Sequence, residues 1–138
     1  MYFSKYKTGE NGMDKCVLIV DDNDFNRELV RDILEDEDIT VYEAEDGSMA
    51  IEMLESEQAD DIDVVLMDMR MPVMDGAEAT KIIRSKNGKC SGIPIIAMTA
   101  NAFETDMTAL REIGMNGLIT KPVDVDTLVE QITKLAGW

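Results

Sequence analysis

The sequence predicts an α/β fold, in which five parallel strands form a doubly wound sheet with helices on both faces. Short apolar runs alternate five times with longer amphipathic stretches, as in repeated strand–helix units. Three of these runs are almost continuously apolar, which is typical of strands covered by helices on both sides. The length of 138 residues suits one domain. We expect residues 1–14 to form a flexible N-terminal extension or linker, and residues 15–136 to form the domain.

The five predicted strands differ in strength. The strong apolar runs cover residues 16–20, 64–67 and 93–98. Weaker strand signals cover residues 40–44 and 117–120. Since an interior strand of a parallel sheet is buried on both faces, we expect the two weaker strands at or near the edges.

Helices are predicted between the strands from apolar residues at helical spacing. In the first helix Phe25, Leu29 and Ile33 recur every four residues, and Val30 and Leu34 widen the same stripe. The later helices carry similar stripes, at Ala50, Met53 and Leu54, at Phe103, Met107 and Leu110, and at Leu128, Ile132 and Leu135.

Helix starts are marked by acidic or amide side chains that can accept from the first turn. Asp75 and Asn101 each stand three residues before a glutamate, the spacing of a capping box. Asp124 is a further candidate for the cap of the last helix.

The composition restricts the possible functions. Lys and Arg number 13 against 29 Asp and Glu, so the formal net charge is −16, and the chain contains no His. Because so acidic a surface repels phosphate backbones, we expect no direct nucleic-acid binding. Without His, the usual general base and the commonest metal ligand are missing. Any chemistry must therefore use carboxylates, hydroxyls, lysine or the backbone.

The cysteine content and hydropathy indicate a cytoplasmic location. Cys16 and Cys90 are too few for a disulfide framework, so we expect free thiols in a reducing compartment. The first dozen residues lack the apolar stretch of a signal peptide. No segment approaches the roughly 18 apolar residues that span a bilayer, so we expect no membrane insertion in this chain.

Polar side chains end four of the predicted strands. Asp21 and Asp22 follow the first strand, Asp68 follows the third, Thr99 ends the fourth and Lys121 follows the fifth. In an open α/β sheet the ligand site lies outside the carboxyl ends of the strands, so these groups are expected to meet there. Three crowded carboxylates favour a hard divalent cation, and Mg²⁺ is the ion that such oxygen ligands suit.

The same set of groups fits phosphoryl transfer. A carboxylate can attack phosphorus and become an aspartyl phosphate. The reaction needs mainly charge neutralisation and positioning, which a metal ion, an ammonium and a hydroxyl donor can supply.

Four motifs resemble the receiver domains of response regulators in two-component and phosphorelay signalling. They are VLIVDDN at 17–23, VLMDMRMPVMDG at 65–76, PIIAMTANA at 94–102 and ITKP at 119–122. The similarity covers about residues 15–136, and the segments DDNDFNR and MTANA are most similar to receivers of hybrid sensor histidine kinases. The resemblance implies a flavodoxin-like (βα)5 fold with strand order 2-1-3-4-5.

The resemblance also implies a role for each site residue. Asp68 would be the phosphoacceptor, and Asp22 and Asp68 would hold Mg²⁺, with Asp21 acting largely through water. The backbone carbonyl of Arg70 would complete the metal site. Thr99 and Lys121 would each bond a phosphoryl oxygen.

Further residues are expected to shape or modulate the site. The resemblance implies a cis peptide bond between Lys121 and Pro122, and a tight turn with positive φ at Gly76. Arg70 and Asn101 would tune the access of hydrolytic water to the acceptor. Leu118 stands where the family often has an aromatic residue that rotates on activation, which leaves the usual signal readout open.

The function implied is a phosphorylation switch rather than an enzyme. A partner phosphohistidine, on a histidine kinase or a histidine-phosphotransfer domain, would donate the phosphoryl group. The change would reach the surface of the fourth helix, fifth strand and fifth helix. The chain would act as a monomer or weak dimer.

Two alternatives come from other classes. An aspartate-nucleophile phosphatase usually has its two acids two residues apart after the first strand, whereas Asp21 and Asp22 are adjacent. The other alternative is an unphosphorylated binding module of flavodoxin-like fold, acting as a scaffold or holding FMN. An FMN site would want a Ser-, Thr- or Gly-rich loop there, and the acidic residues of 21–24 would repel its phosphate.

Overall fold

The computed structural model describes residues 15–86, 89–101 and 106–138 of the chain. The predicted extension, residues 1–14, lies outside the described residues. The elements in chain order are β1 (Lys15–Val20), α1 (Asp24–Glu35), β2 (Ile39–Ala44), α2 (Gly47–Leu54), β3 (Val64–Asp68), α3 (Gly76–Ser85), β4 (Ile95–Thr99), α4 (Met107–Ile113), β5 (Gly117–Thr120) and α5 (Val125–Ala136). Two short 3-10 helices, Glu57–Asp60 and Lys89–Gly92, precede β3 and β4.

The strands form one parallel sheet in the order β2-β1-β3-β4-β5. This confirms the predicted order and places the two weaker strands, β2 and β5, at the edges. Sequence order reverses between β1 and β3, which both lie in the interior of the sheet. The carboxyl ends of β1 and β3 are neighbours, since Val20 pairs with Met67.

The core has two layers, one on each face of the sheet, so the doubly wound architecture is also confirmed. Buried residues of α2, α3 and α4 pack against one face, together with Leu18 and Met67. Buried residues of α1 and α5 pack against the other face, together with Val17 and Leu66. None of the helices in the described ranges is both long and apolar enough to cross a membrane.

Helix α1 departs from the prediction in part. Phe25 is 70% exposed and Leu29 is 46% exposed, so these two members of the predicted stripe do not face the core, whereas Val30 and Leu34 are buried as predicted. The buried positions of α1 are Arg27, Val30 and Leu34. The helix is rotated toward these residues because the Arg27 guanidinium finds polar partners beneath the helix. An arginine thus takes a place that an apolar pattern assigns to a hydrophobic residue.

The other predicted stripes face the sheet. Their buried members are Ala50, Leu54, Leu110, Leu128 and Ile132. Met53, Met107 and Leu135 are partly buried and pack against the two core layers. Phe103 lies outside the described residues.

Two of the three predicted helix caps are present. The Asp75 side chain accepts from the Glu78 amide at 2.8 Å, and Asp124 accepts from the Thr127 amide at 2.9 Å. These contacts satisfy amides that the first helical turn leaves without a partner.

The predicted cap at Asn101 is not tested, because the first turn it would cap falls on residues 102–105, outside the described residues. Helix α4 begins at Met107, and its cap is Asp106, which accepts from the Ala109 amide at 2.8 Å. Glu104, the other half of the predicted capping box, lies outside the described residues.

Strand β4 begins two residues later than the predicted range 93–98. The Ile93 amide donates to the Cys90 carbonyl at 3.2 Å, which closes the preceding turn. Pro94 has no N–H for a strand ladder. The ladder therefore starts at Ile95 and extends to Thr99.

Gly76 is required by close packing rather than by the positive φ that the resemblance implied. The glycines with positive φ in the described chain are Gly114 and Gly137. A Cβ on Gly76 would lie 2.4 Å from the Asp68 backbone oxygen, so only hydrogen fits there. The positive φ of this loop belongs instead to Val73, at 71°.

We predict that Gly76→Ala destabilises the protein by about 1–3 kcal/mol, because the added methyl must push back the end of β3. Gly92→Ala is the matched control, since a Cβ there meets nothing within 4 Å, and we expect a change of about 0.5 kcal/mol or less. Urea unfolding of the two variants measures the difference. Equal stabilities would contradict the close-packing explanation.

Candidate functional site

Three carboxylates meet at the carboxyl ends of β1 and β3. Asp21 and Asp22 directly follow β1, and Asp68 is the last residue of β3. One oxygen from each lies within 4.8 Å of the other two. Asp21 and Asp68 are buried and Asp22 is exposed. The structure thus brings together the three residues that the sequence predicted as metal ligands.

Asp21 is fixed by hydrogen bonds on its backbone and side chain. Its amide donates to the Ala44 carbonyl at 3.1 Å, which continues the pairing of β1 with β2. Its Oδ1 accepts from the Asn23 amide at 2.9 Å. Because the turn after β1 is tied to the neighbouring strand, the position of Asp22 beside Asp21 is also restricted.

Lys121 neutralises part of the acidic charge. Its Nζ lies 3.3 Å from Asp21 Oδ2 and 3.4 Å from Asp68 Oδ1, so one ammonium joins two buried carboxylates. The Lys121 amide donates to the Thr99 carbonyl at 2.8 Å. The peptide bond between Lys121 and Pro122 is cis, as the resemblance implied.

Thr99 ends β4 beside β3, the strand that Asp68 ends. It is buried and stands one position past Met98, which pairs with Asp68. Its Oγ1 accepts from the Asn101 amide at 3.2 Å. This bond uses the oxygen as an acceptor and leaves the hydroxyl proton available for an anion at the site.

The pKa of Asp68 is raised above its usual value. Burial is the main cause, and the neighbouring Asp21 charge raises the pKa further. Lys121 and the Arg70 amide, which donates to Asp68 Oδ1 at 3.2 Å, act in the opposite direction. Their effect does not cancel the first two, so the ionised form of Asp68 is under electrostatic stress that a cation would relieve.

The donor set fits Mg²⁺. The ion takes oxygen ligands at about 2.0–2.1 Å, so two oxygens on one ion are at most about 4.2 Å apart. The 4.8 Å cluster meets this limit after small side-chain rotations, or with one carboxylate binding through water. Mg²⁺ commonly keeps several waters, and the exposure of Asp22 leaves room for them.

The predicted modulating residues occupy three different surroundings. Arg70 is exposed two residues after Asp68, and Asn101 is half-buried beside Thr99. Leu118 is half-buried and packs against the core layer formed with α2, α3 and α4. Its carbonyl accepts from Gln131 Nε2 at 2.7 Å.

Two further residues at this edge were missed from the sequence. Val73, in the loop after Asp68, combines a left-handed φ with 92% exposure, and the Met74 amide closes a three-residue turn onto the Pro72 carbonyl at 2.7 Å. Arg27 is buried in α1 and donates from Nη1 to the Asp21 carbonyl at 2.6 Å. The burial of Arg27 could have been predicted from its spacing. Arg27 stands three residues before Val30 and seven before Leu34, which places it on the helix face that meets the core.

Comparisons with known proteins agree with this geometry. A family model described as "Response regulator receiver domain" matches residues 17–133. The CAI-1 autoinducer sensor kinase/phosphatase CqsS of Vibrio cholerae is 37% identical over 125 residues, or 91% of this chain and 17% of that protein. The chemotaxis protein CheY of Halobacterium salinarum is 40% identical over 121 residues, or 88% of this chain and 96% of that protein. The chain therefore spans less than a fifth of the sensor kinase and nearly all of the chemotaxis protein.

Two solved structures are informative about the site. The receiver domain of sensor histidine kinase PA1611 from Pseudomonas aeruginosa has a magnesium ion in its active-site cleft. It matches with a TM-score of 0.80 and 32% identity, over 91% of this chain and 99% of that one. The second is the co-crystal structure of the Saccharomyces cerevisiae histidine phosphotransfer protein Ypd1 and the receiver domain of Ssk1. It matches with a TM-score of 0.77 and 28% identity, over 90% of this chain and 90% of that one.

We predict that Asp68→Asn stabilises the metal-free protein at neutral pH. Because the folded-state pKa of Asp68 is raised, its protonated form contributes stability that is complete below the ordinary Asp value of 3.8 and is lost as pH rises through the folded-state pKa. The amide cannot ionise and escapes this loss. Its advantage in melting temperature should therefore appear at neutral pH and shrink toward zero below pH 3.8.

Asp124→Asn is the control of opposite sign. Hydrogen bonds from Thr127 lower the pKa of Asp124, so its ionised form contributes stability that is lost as pH falls. Melting curves recorded with a chelator across the pH range compare the two variants. An Asp68→Asn protein no more stable than wild type at pH 7 would contradict the electrostatic account of the site.

Proposed function

The chain belongs to the response regulator receiver domain family and is a receiver domain of two-component phosphorelay signalling, and we propose that Asp68 is its phosphoacceptor. The observation that carries this assignment is the position of Asp68. It is buried between the carboxylates of the β1 end and the Lys121 ammonium, and it ends the central strand of the sheet.

In the proposed step, a carboxylate oxygen of Asp68 attacks the phosphorus of a phosphohistidine. An O–P bond forms, the N–P bond breaks, and the imidazole leaves with the electron pair of that bond. Asp68 attacks as a carboxylate, so this step needs no general base. The product is an acyl phosphate on Asp68 and an unmodified histidine on the donor.

The other site residues would serve this transfer through charge and position. When bound, Mg²⁺ would supply positive charge beside the phosphoryl oxygens, with Asp22 and Asp68 as direct ligands and Asp21 acting through water. The Arg70 carbonyl is proposed as a further ligand. Lys121 would move its hydrogen bonding from the carboxylates toward a phosphoryl oxygen, and the Thr99 hydroxyl would donate to another.

The donor must be another domain or protein, because the sequence contains no histidine. We propose a histidine kinase or histidine-phosphotransfer domain, as in the structure that holds Ypd1 with a receiver domain. A protein-borne histidine can reach buried Asp68 only if the donor surface rests on the edge around it. Exposed apolar side chains of the described residues stand there, with Phe25 and Leu29 at the start of α1 and Val73 in the loop after Asp68.

The output surface is proposed as α4, β5 and α5, which all follow Thr99 in the chain, with Lys121 between β5 and α5. A phosphoryl group adds a charge of about −1.5 to −2, enough to redirect Thr99 and Lys121. Leu118 lacks the ring of the usual aromatic readout, so the response is expected to pass through the backbone near Asn101. Arg70 and Asn101 are proposed to control the access of water to the acyl phosphate.

The remaining proposals concern the setting of the protein. Cys16 and Cys90 are buried and form no disulfide within the described part of the chain, which suits a reducing cytoplasm. The acidic surface favours a monomer or weak dimer that does not bind nucleic acid.

We propose a switch rather than a turnover enzyme. No feature of the site favours the phosphatase, because the residue two positions past Asp68 is exposed Arg70 and not an acid.

We predict that a small phosphodonor such as acetyl phosphate, with Mg²⁺, adds one phosphoryl group to the intact chain. Asp68→Asn should abolish the added mass, and a chelator should reduce it strongly. Asp32→Asn, an exposed carboxylate on α1, is the control and should label like wild type. Mass spectrometry provides the measurement. Labelling that survives Asp68→Asn would refute the assignment, and repeated turnover of a chromogenic phosphate ester would support the phosphatase instead.

A second prediction concerns the apolar side chains around the acceptor. With a histidine-phosphotransfer protein that phosphorylates wild type, Phe25→Ala and Val73→Ala should each slow transfer by about tenfold, the effect of losing about 1.4 kcal/mol of binding. Labelling by acetyl phosphate should stay within about twofold, because the small donor does not need this surface. Met49→Ala, at an exposed apolar residue of α2, is the matched control. Unchanged transfer in both variants would argue against this docking surface.

A further inference from the structure

Arg27 is a buried cation directly beneath the acidic site. It is 8% exposed, and its guanidinium donates in three directions. Nη1 donates to the Asp21 carbonyl at 2.6 Å, Nε donates to Glu43 Oε1 at 3.0 Å, and Nη2 pairs with Asp24. A planar guanidinium suits such a junction because its donors point along fixed directions.

These contacts join the three segments that meet at the end of β1. Asp21 begins the turn that carries the metal-binding carboxylates, Glu43 lies on β2, and Asp24 begins α1. The Asp21 amide is bonded to Ala44 of β2 and its side chain to the Asn23 amide. With Arg27 on its carbonyl, every polar group of the Asp21 backbone is held.

We propose that Arg27 is a positioning residue for the magnesium site, acting through the backbone of Asp21. It holds the turn that presents Asp21 and Asp22 toward Asp68, although it does not itself touch the ion. The inference rests on the proposed Mg²⁺-dependent function of the site. It goes further by proposing that a cation, Arg27, increases the Mg²⁺ affinity of the site. Its positive charge alone would decrease that affinity.

Charge and position make opposite predictions here. If Arg27 acted only as a positive charge near three carboxylates, removing the charge would strengthen Mg²⁺ binding. If Arg27 positions the carboxylates, removing the side chain lets the turn relax and weakens Mg²⁺ binding. Losing a partner that orients a metal ligand typically costs about 10–100-fold in affinity.

Arg31 offers a matched control on the same helix. It also pairs with Glu43, from Nη1 to Oε2 at 2.7 Å, and carries the same charge one turn further along α1. The described contacts of Arg31 are with Glu43 and Glu28, and none reaches Asp21. Arg31→Met therefore removes a cation and an ion pair to Glu43 while leaving the Asp21 carbonyl bond in place.

The experiment compares Arg27→Met and Arg31→Met at a temperature where both are folded by circular dichroism. Isothermal titration measures Mg²⁺ affinity, and amide hydrogen exchange of Asp21 and Asn23 is followed by NMR in metal-free protein. We expect Arg27→Met to weaken Mg²⁺ binding by about tenfold and to speed exchange at both amides. Arg31→Met should change the Mg²⁺ affinity by less than about twofold or tighten it, with exchange unchanged.

Other outcomes would overturn the proposal. Equal or tighter Mg²⁺ binding by Arg27→Met would show that the charge, and not the position, decides. If Arg27→Met and Arg31→Met changed the Mg²⁺ affinity and the amide exchange equally, Arg27 would have no specific positioning role. If Arg27→Met does not fold, Arg27→Lys takes its place, since it keeps the charge but cannot make all three contacts, and wild-type affinity and exchange in that variant would also overturn the proposal. Absence of Mg²⁺ binding by wild type would instead contradict the proposed function, and the metal-free exchange data would still test Arg27.

Discussion

The repulsion among three carboxylates at the ends of β1 and β3 is the constraint on which the site depends. Two of these groups, Asp21 and Asp68, are buried, where water cannot screen their charges. One ammonium, that of Lys121, contacts both at 3.3 and 3.4 Å. A single positive charge does not neutralise three negative ones, and burial together with the neighbouring Asp21 charge raises the pKa of Asp68. The site is therefore ready to attract a divalent cation, and the fold tolerates this electrostatic cost.

The surrounding structure holds these repelling groups in place through the backbone. The amide and carbonyl of Asp21 are bonded to β2 and to Arg27, and the Lys121 amide is bonded to Thr99. Gly76 lets α3 begin against the Asp68 carbonyl, where any side chain would collide. Because these contacts are backbone hydrogen bonds and close packing, the backbone positions that carry the carboxylates cannot move apart without breaking contacts at the ends of the strands. This explains why residues that carry no function of their own, such as Ala44 and Gly76, matter to the site.

Much of the fold and most of the site residues could be predicted because the strands can be recognised in the sequence and all run in the same direction. A buried apolar run marks a strand, and parallel strands bring their last residues to one edge, so Asp21, Asp68 and Thr99 could be placed together. The exposure of Phe25 and the burial of Arg27 could not be predicted from apolar spacing. They depend on Glu43, which lies on β2 and accepts a hydrogen bond from Arg27, so that this face of α1 packs toward the sheet. The role of Gly76 was also hidden, since it depends on the approach of a distant carbonyl and not on local conformation.

The hydrogen bonds around Thr99 suggest how a signal could leave the site without an aromatic residue at Leu118. The Thr99 oxygen accepts from the Asn101 amide, and its carbonyl accepts from the Lys121 amide. Thr99 is thus linked to the segment that leads toward α4 and to the segment that leads into α5. A hydroxyl that turns toward a phosphoryl oxygen would weaken the first link, and a Lys121 side chain drawn to the same group would strain the second. Both changes act on the backbone, so the response on α4, β5 and α5 would not require the rotation of an aromatic ring.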